Sequence, residues 1–392
     1  MDIFDTNYFL INKKMLSLVG LWPYDDKASK NIKRSFFIAA IGVVTILPQF
    51  FGLRVSYQDK DIYRLFERVG TLFFMHAILF KFVISIIFED KMKVLLDSIR
   101  KNWIKIVDKT ERAILIQYSE KGFIISVGYM TYISLALIVY ISTPLMPTLL
   151  DLVIPLNESR PKMHLLKGEF WFDGDEHYWQ IFQIDSISCI MASTVVMTVD
   201  SFYANCTEHC LGLFAIVKYR LSIPNKENLK KTDPRYEDVS YKWLVENIRI
   251  HSAVLDFASL LETSYSLAFF VVMGINLLYF SSLSVLVLMS LEKPLDFVRF
   301  SILLIGLIIH LFYLCWPGQK LIDHSSGLFR DAYNSQWYDS SMRSRKLLSI
   351  FILRCSKPCI LTAGGIYNIN FANFAVILKK SMSFFTVFSN IS

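Results

Sequence analysis

The sequence predicts an all-α membrane protein of seven transmembrane helices, with its N-terminus cytoplasmic and its C-terminus extracellular. Three observations carry that prediction. Of the 392 residues, 54% are hydrophobic and 19% charged, with a mean hydropathy of +0.41, whereas about a quarter of a soluble chain is charged. The apolar residues gather into seven long stretches, each near the ~20 helical residues that cross a bilayer. Lysine and arginine alternate between poor and rich in the segments between them.

Taken in order, the spans are about 36–55, 65–88, 123–150, 181–204, 265–291, 297–316 and 366–388, all within one seven-helix domain over 1–392. The second contains Glu67, Arg68 and Lys81, so it is the least lipid-like of the first three, because charge inside a bilayer turns towards protein or water. The third and fifth are the longest and can tilt or protrude.

The last span, Ile366 to Phe388, has Lys379 and Lys380 in its middle. At helical spacing Asn373, Lys380, Ser383, Val387 and Asn390 fall near one face. Phe374, Ile377, Leu378, Ser381, Phe385 and Phe388 fall on another. A pore-lining helix has this pattern, and so does a mildly amphipathic span buried in a bundle.

Orientation follows from the basic residues. Segments 1–34, 89–122, 205–260 and 318–363 hold six, eight, eight and seven of them, against one, three, one and none in 57–63, 151–180, 288–298 and 389–392. Basic loops stay cytoplasmic. The net charge of +7 is thereby accounted for by topology, with no nucleic-acid partner. MLSLVGLW is too short for a cleavable signal, so targeting is expected from the first span.

Segment 151–180 is acidic and aromatic and holds the sequon Asn157-Glu158-Ser159, expected outside and glycosylated. A second sequon at Asn205 falls at the inner end of span four and is expected to stay bare. The basic segments 205–260 and 318–363 carry helical patterns such as Tyr241 to Leu261, which predicts a cytoplasmic helical anchor region.

No phosphate-cradling GxxxxGK[ST], HExxH or GxSxG occurs, so neither an enzyme nor a cofactor is expected. Cys206, His209 and Cys210 approximate metal spacing, but buried cysteines at i, i+4 explain them more simply. Asp323-His324 lacks a nucleophile. His76, among Phe73, Phe74 and Phe80, is expected to be a packed core histidine.

Several motifs are distinctive together. Leu18 to Pro23 reads LVGLWP, and Ala332 to Tyr338 reads AYNSQWY. Arg354-Cys355-Ser356-Lys357-Pro358 precedes Leu361-Thr362-Ala363-Gly364, and the last span runs Phe374 to Lys379, then Ser383-Phe384-Phe385. These resemble the insect odorant receptors, a seven-span family distinct from G-protein-coupled receptors. The length and the brief second cytoplasmic loop resemble a tuning subunit rather than the shared coreceptor. The T-Y-x5-Q-F ending of the sister gustatory receptors is absent.

The resemblance implies a subunit of a ligand-gated, non-selective cation channel, tetrameric with the coreceptor and held in the plasma membrane of an olfactory neuron dendrite, in contact with lipid. It implies that the last helix lines the pore at Lys380 and Ser383, with Val387 at a hydrophobic gate and Asn390 and Ile391 beyond it. A small volatile hydrophobic ligand is expected in the outer half of the bundle, at Phe73, Phe74, Tyr132, Ala136, Tyr140, Ile184, Ser188, Phe280, Phe300 and Leu304. The alternatives are a seven-span receptor coupled to G proteins, which has the opposite orientation and carries D-R-Y and N-P-x-x-Y motifs absent here, and a gustatory-receptor-like channel.

Overall fold

The computed structural model describes residues 2–154, 158–169, 176–222, 236–335, 337–339 and 341–389. Short helix α1 (Leu10–Leu18) leads into α2 (Lys27–Ala39), which the Asp26 carboxylate caps by accepting from the Ala28 and Ser29 amides. The chain continues through a π-helical stretch, Ala40–Ile46, into α3 (Leu47–Gln58). The stretch precedes Pro48, whose ring and missing N–H disturb the regular ladder there.

Then follow α4 (Ile62–Ile87), α5 (Glu89–Lys105), α6 (Lys109–Ser142), α7 (Met146–Val153), α8 (Tyr178–Ser222), α9 (Tyr236–Met289), α10 (Pro294–Tyr333) and α11 (Met342–Cys355). A two-residue hairpin, β1 (Thr362–Ala363) and β2 (Tyr367–Asn368), precedes the last helix, α12 (Phe371–Ser389). Among the described residues six helices are long and apolar enough to cross a membrane: 27–58, 62–87, 109–153, 178–222, 241–289 and 294–333.

Helices α8, α9 and α10, at 45, 54 and 40 residues, run far beyond the ~20 residues that the hydrocarbon requires. Their surplus turns gather at one end of the bundle. Phe214, Val254, Phe257, Leu328, Leu348 and Phe351 share a buried core there with α11, and His251 meets Phe351 edge-on at 5.0 Å.

Two glycines fix the last connection. Gly364 turns the hairpin at φ +65°, a left-handed conformation that side chains other than glycine resist. Its amide donates to the Ser266 carbonyl at 3.0 Å. In α10 a Cβ on Gly318 would lie 2.1 Å from the Ile369 carbonyl oxygen, so only glycine lets the hairpin settle there. Residues 366–370 therefore complete the hairpin rather than a helix, and the last helix starts at Phe371 instead of Ile366. Asn370 caps it by accepting from the Asn373 amide at 2.9 Å.

Candidate ligand-binding cavity

At the end of the bundle away from α11, α4, α6, α8, α9 and α10 enclose a cavity of about 180 Å³. Pockets for drug-sized ligands measure roughly 300–1,000 Å³, so this space suits a smaller molecule. Its walls are apolar: Phe74 and Ile78 from α4, Ile133, Ala136 and Leu137 from α6, Val196 from α8, Tyr279 and Leu283 from α9, and Phe300, Leu303 and Leu307 from α10.

The two ends of the cavity are polar. At one, Arg299 pairs with Glu67 at 3.0 Å, and Glu67 also pairs with Lys167 at 2.8 Å. Arg299 donates to the Leu165 carbonyl at 2.7 Å, and the Tyr140 hydroxyl donates to the same oxygen at 3.3 Å. The segment before α8 is thereby folded inward. Its Leu166 lines the cavity, while the Leu166 amide donates to Asp185 at 3.1 Å.

At the other end Lys81 on α4 pairs with Asp200 on α8 at 2.6 Å, with their side chains 3% and 0% exposed. The Tyr129 hydroxyl lies 3.0 Å from Asp200 and 2.8 Å from His310. Charges buried this deeply persist only when paired and hydrogen-bonded. The two groups clamp four of the five helices that form the wall.

The structure brings Phe74, Tyr132, Ala136, Tyr140 and Phe300 together around the cavity. The other five expected positions lie outside its lining. Ser188 is buried on a different face of α8, with its hydroxyl 3.5 Å from the Ala40 carbonyl, while the neighbouring Cys189, with Ser193 and Val196, faces the cavity. Ile184 is half-buried on the same helix. Phe280 is buried in a core whose margin includes Phe73, Leu304 and, from α12, Phe374, Ile377 and Leu378. His76, expected inside the core, is exposed, with its ring nitrogen 2.8 Å from the Leu72 carbonyl.

On α12, Ser381 is buried and Phe374, Ile377, Leu378 and Phe385 are half-buried, while Lys380, Ser383 and Val387 are exposed. Asn157, Asn390 and Ile391 lie outside the described residues. The sequence left the cavity's ionisable residues unassigned. Glu67 and Lys81 were legible as charges turned away from lipid but not as parts of a cavity, and Asp200, Arg299 and His310, also within apolar stretches, carry the same signal.

Comparison with known proteins supplies the wider context. A family model described as 7tm Odorant receptor matches residues 61–382. Odorant receptor Or2 of Anopheles gambiae is 23% identical over 215 residues, 54% of this chain and 56% of that protein. Odorant receptor 22a of Drosophila melanogaster is 25% identical over 230 residues, 55% and 53% of the two chains. The chain thus spans about half the length of these curated relatives. The solved insect olfactory receptor OR5 from Machilis hrabei, in complex with eugenol, superposes with a TM-score of 0.79 at 13% identity, over 98% of this chain and 97% of that one. The receptor shares the fold. On the family match over most of its length, the chain belongs to the 7tm odorant receptor family.

Proposed function

We propose that this chain is the odorant-binding subunit of a heteromeric, ligand-gated, non-selective cation channel of the plasma membrane, assembled with the family's coreceptor. A small volatile hydrophobic molecule occupies the cavity and opens a pore lined by the exposed face of α12. The observation that carries this reading is a shared core. Tyr279, Leu283, Phe300 and Leu307 line the cavity, and the same residues form the core on which Phe374, Ile377 and Leu378 of α12 pack. A ligand that moves α9 or α10 therefore acts on α12 through close-packed side chains, which transmit displacement rather than absorb it.

In this reading Val387 excludes water at the constriction of the closed pore, near Lys380, Ser383, Asn390 and Ile391. The α11 end of the bundle is cytoplasmic and holds the subunits together. The Machilis hrabei receptor of the same fold was solved in complex with eugenol, a small phenol, which favours a ligand of that size here. The test is whole-cell current in response to a volatile panel, in cells expressing this chain with the coreceptor, this chain alone or the coreceptor alone. Currents to panel members only in the first support the proposal, and equal responses from this chain alone contradict the heteromer.

A further inference from the structure

The cavity face of α9 is built from Val272, Asn276, Tyr279, Leu283 and Leu286. Their spacing puts all of them on one side of the helix, and Asn276 is the only amide in that stripe. Asn276 is 4% exposed, and its side-chain Nδ2 is buried with no hydrogen-bond partner among the described residues. An amide donor shut away from water costs free energy unless it meets an acceptor. A leucine would serve packing better at this position.

The hydroxyls of Tyr132, Ser193 and Tyr279 also line the cavity, but the charged groups there are already engaged. Lys81 and His310 belong to the Asp200 cluster, Glu67 is paired with Lys167, and the Thr71 hydroxyl donates to the Glu67 carbonyl at 3.0 Å. Arg299 also keeps Nε unpaired, but its guanidinium is held by Glu67 and the Leu165 carbonyl. A ligand oxygen there would compete with a carboxylate.

Resting on the cavity reading above, we infer that Asn276 is a specificity residue that donates a hydrogen bond to the ligand. The ligand class is then a small apolar molecule carrying one oxygen acceptor, such as a ketone, ester or alcohol, rather than a plain hydrocarbon or a carboxylate.

The test compares the parent with Asn276→Leu and Ala136→Trp at matched surface labelling, each co-expressed with the coreceptor. The probes are C6–C9 ketones, acetates and primary alcohols, each paired with the alkene or alkane of the same shape, 2-heptanone with 2-methyl-1-heptene among them. The parent is expected to respond to oxygenated members more strongly than to their hydrocarbon partners. Asn276→Leu is expected to lose that preference, with EC50 for the oxygenated probes rising about tenfold, the size of one buried hydrogen bond, and with hydrocarbon potency kept. An unchanged preference in Asn276→Leu, or a parent that answers only hydrocarbons or no probe in the panel, overturns the inference. Ala136→Trp, which fills the cavity, separates the two levels. If it abolishes responses while Asn276→Leu keeps the parent's preference for oxygenated probes, the cavity reading stands and the Asn276 assignment falls. If it changes nothing, the cavity reading falls with it.

Discussion

The hydroxyl of Ser281 on α9 donates to the main-chain oxygen of Ser381 on α12 at 3.1 Å, and both residues are fully buried. Two positions earlier on the same helix, Tyr279 lines the cavity. One helix therefore presents one side to the cavity and another to the last helix, and the first prediction starts from that arrangement.

The first concerns the exposed face of α12. Val387 is 55% exposed, while Phe385 is half-buried. If Val387 excludes water from the closed pore, Val387→Ser raises ligand-independent current or alters cation preference in the heteromer. Phe385→Ser instead lowers surface expression through lost packing, by about 1–3 kcal/mol. Basal current and permeability at matched surface levels check both. A Val387→Ser channel indistinguishable from the parent removes that residue from the gate.

The second concerns the ion pair at the base of the cavity. Replacing Lys81 with Met leaves Asp200 as an uncompensated buried charge, a change that costs about 3–5 kcal/mol. Lys81→Met and Asp200→Asn are each expected to lower thermostability in detergent and surface delivery. The double variant is expected to recover part of the loss. If the double variant is as damaged as the sum of the singles, the two groups act independently and the pairing is wrong.

The third concerns which residues form the wall. Truncating Phe74 to Ala removes apolar surface from the cavity and is expected to raise EC50 for apolar agonists by about tenfold or more. Ser188→Ala, on the face of α8 that meets residues 40–46, is expected to leave EC50 within about twofold, because a 3.5 Å hydroxyl contact contributes little. Dose–response curves decide, and a larger effect at Ser188 than at Phe74 would place the ligand elsewhere.

This contrast marks the boundary of what the sequence could tell. The long apolar helices, the alternation of basic segments and the two faces of the last helix are written in composition and period, since lipid, water and protein each select residues by polarity. The rotation of α8 about its own axis is not. Ser188 and Cys189 differ by about 100° on the helix, and both are buried among apolar neighbours. Nothing in polarity tells a wall facing a ligand from a wall facing another helix. Phe280 illustrates the same ambiguity, as an aromatic that serves the core between α9, α10 and α12. The start of the last helix was hidden for another reason: Ile366 and Tyr367 are apolar, but Gly364 turns them into a hairpin.

The fourth prediction concerns thiols outside the membrane-spanning segments. Burial pushes the Cys355 thiol up to about 12 and that of Cys359 to about 11. Both thiols are neutral at pH 8, and only a thiolate attacks an alkylating reagent. Iodoacetamide at pH 8 is therefore expected to leave both unlabelled in the folded protein and to label both in denaturant. Labelling of the folded protein increases only as pH rises towards 11. Fast modification of Cys355 at pH 8, read by peptide mass, would contradict its placement in the α11 core.

The fifth tests orientation. Asn205 is 4% exposed and donates to the Ser126 hydroxyl at 2.6 Å, so it cannot carry a glycan. Asn157 is expected to be the modified sequon. A glycosidase-sensitive mobility shift should disappear in Asn157→Gln and persist in Asn205→Gln. A shift lost only in the Asn205 variant reverses the assigned topology.

The most direct measurement of the central claim, that a ligand in the cavity opens a pore in the same protein, is whole-cell recording from cells co-expressing the coreceptor with either the parent chain or Ala136→Trp, with GDP-βS in the pipette. The account predicts ligand-evoked cation current in the parent that GDP-βS leaves intact. It predicts no such current in Ala136→Trp at equal surface density. Current that GDP-βS abolishes, or that survives unchanged with the cavity filled, would contradict it.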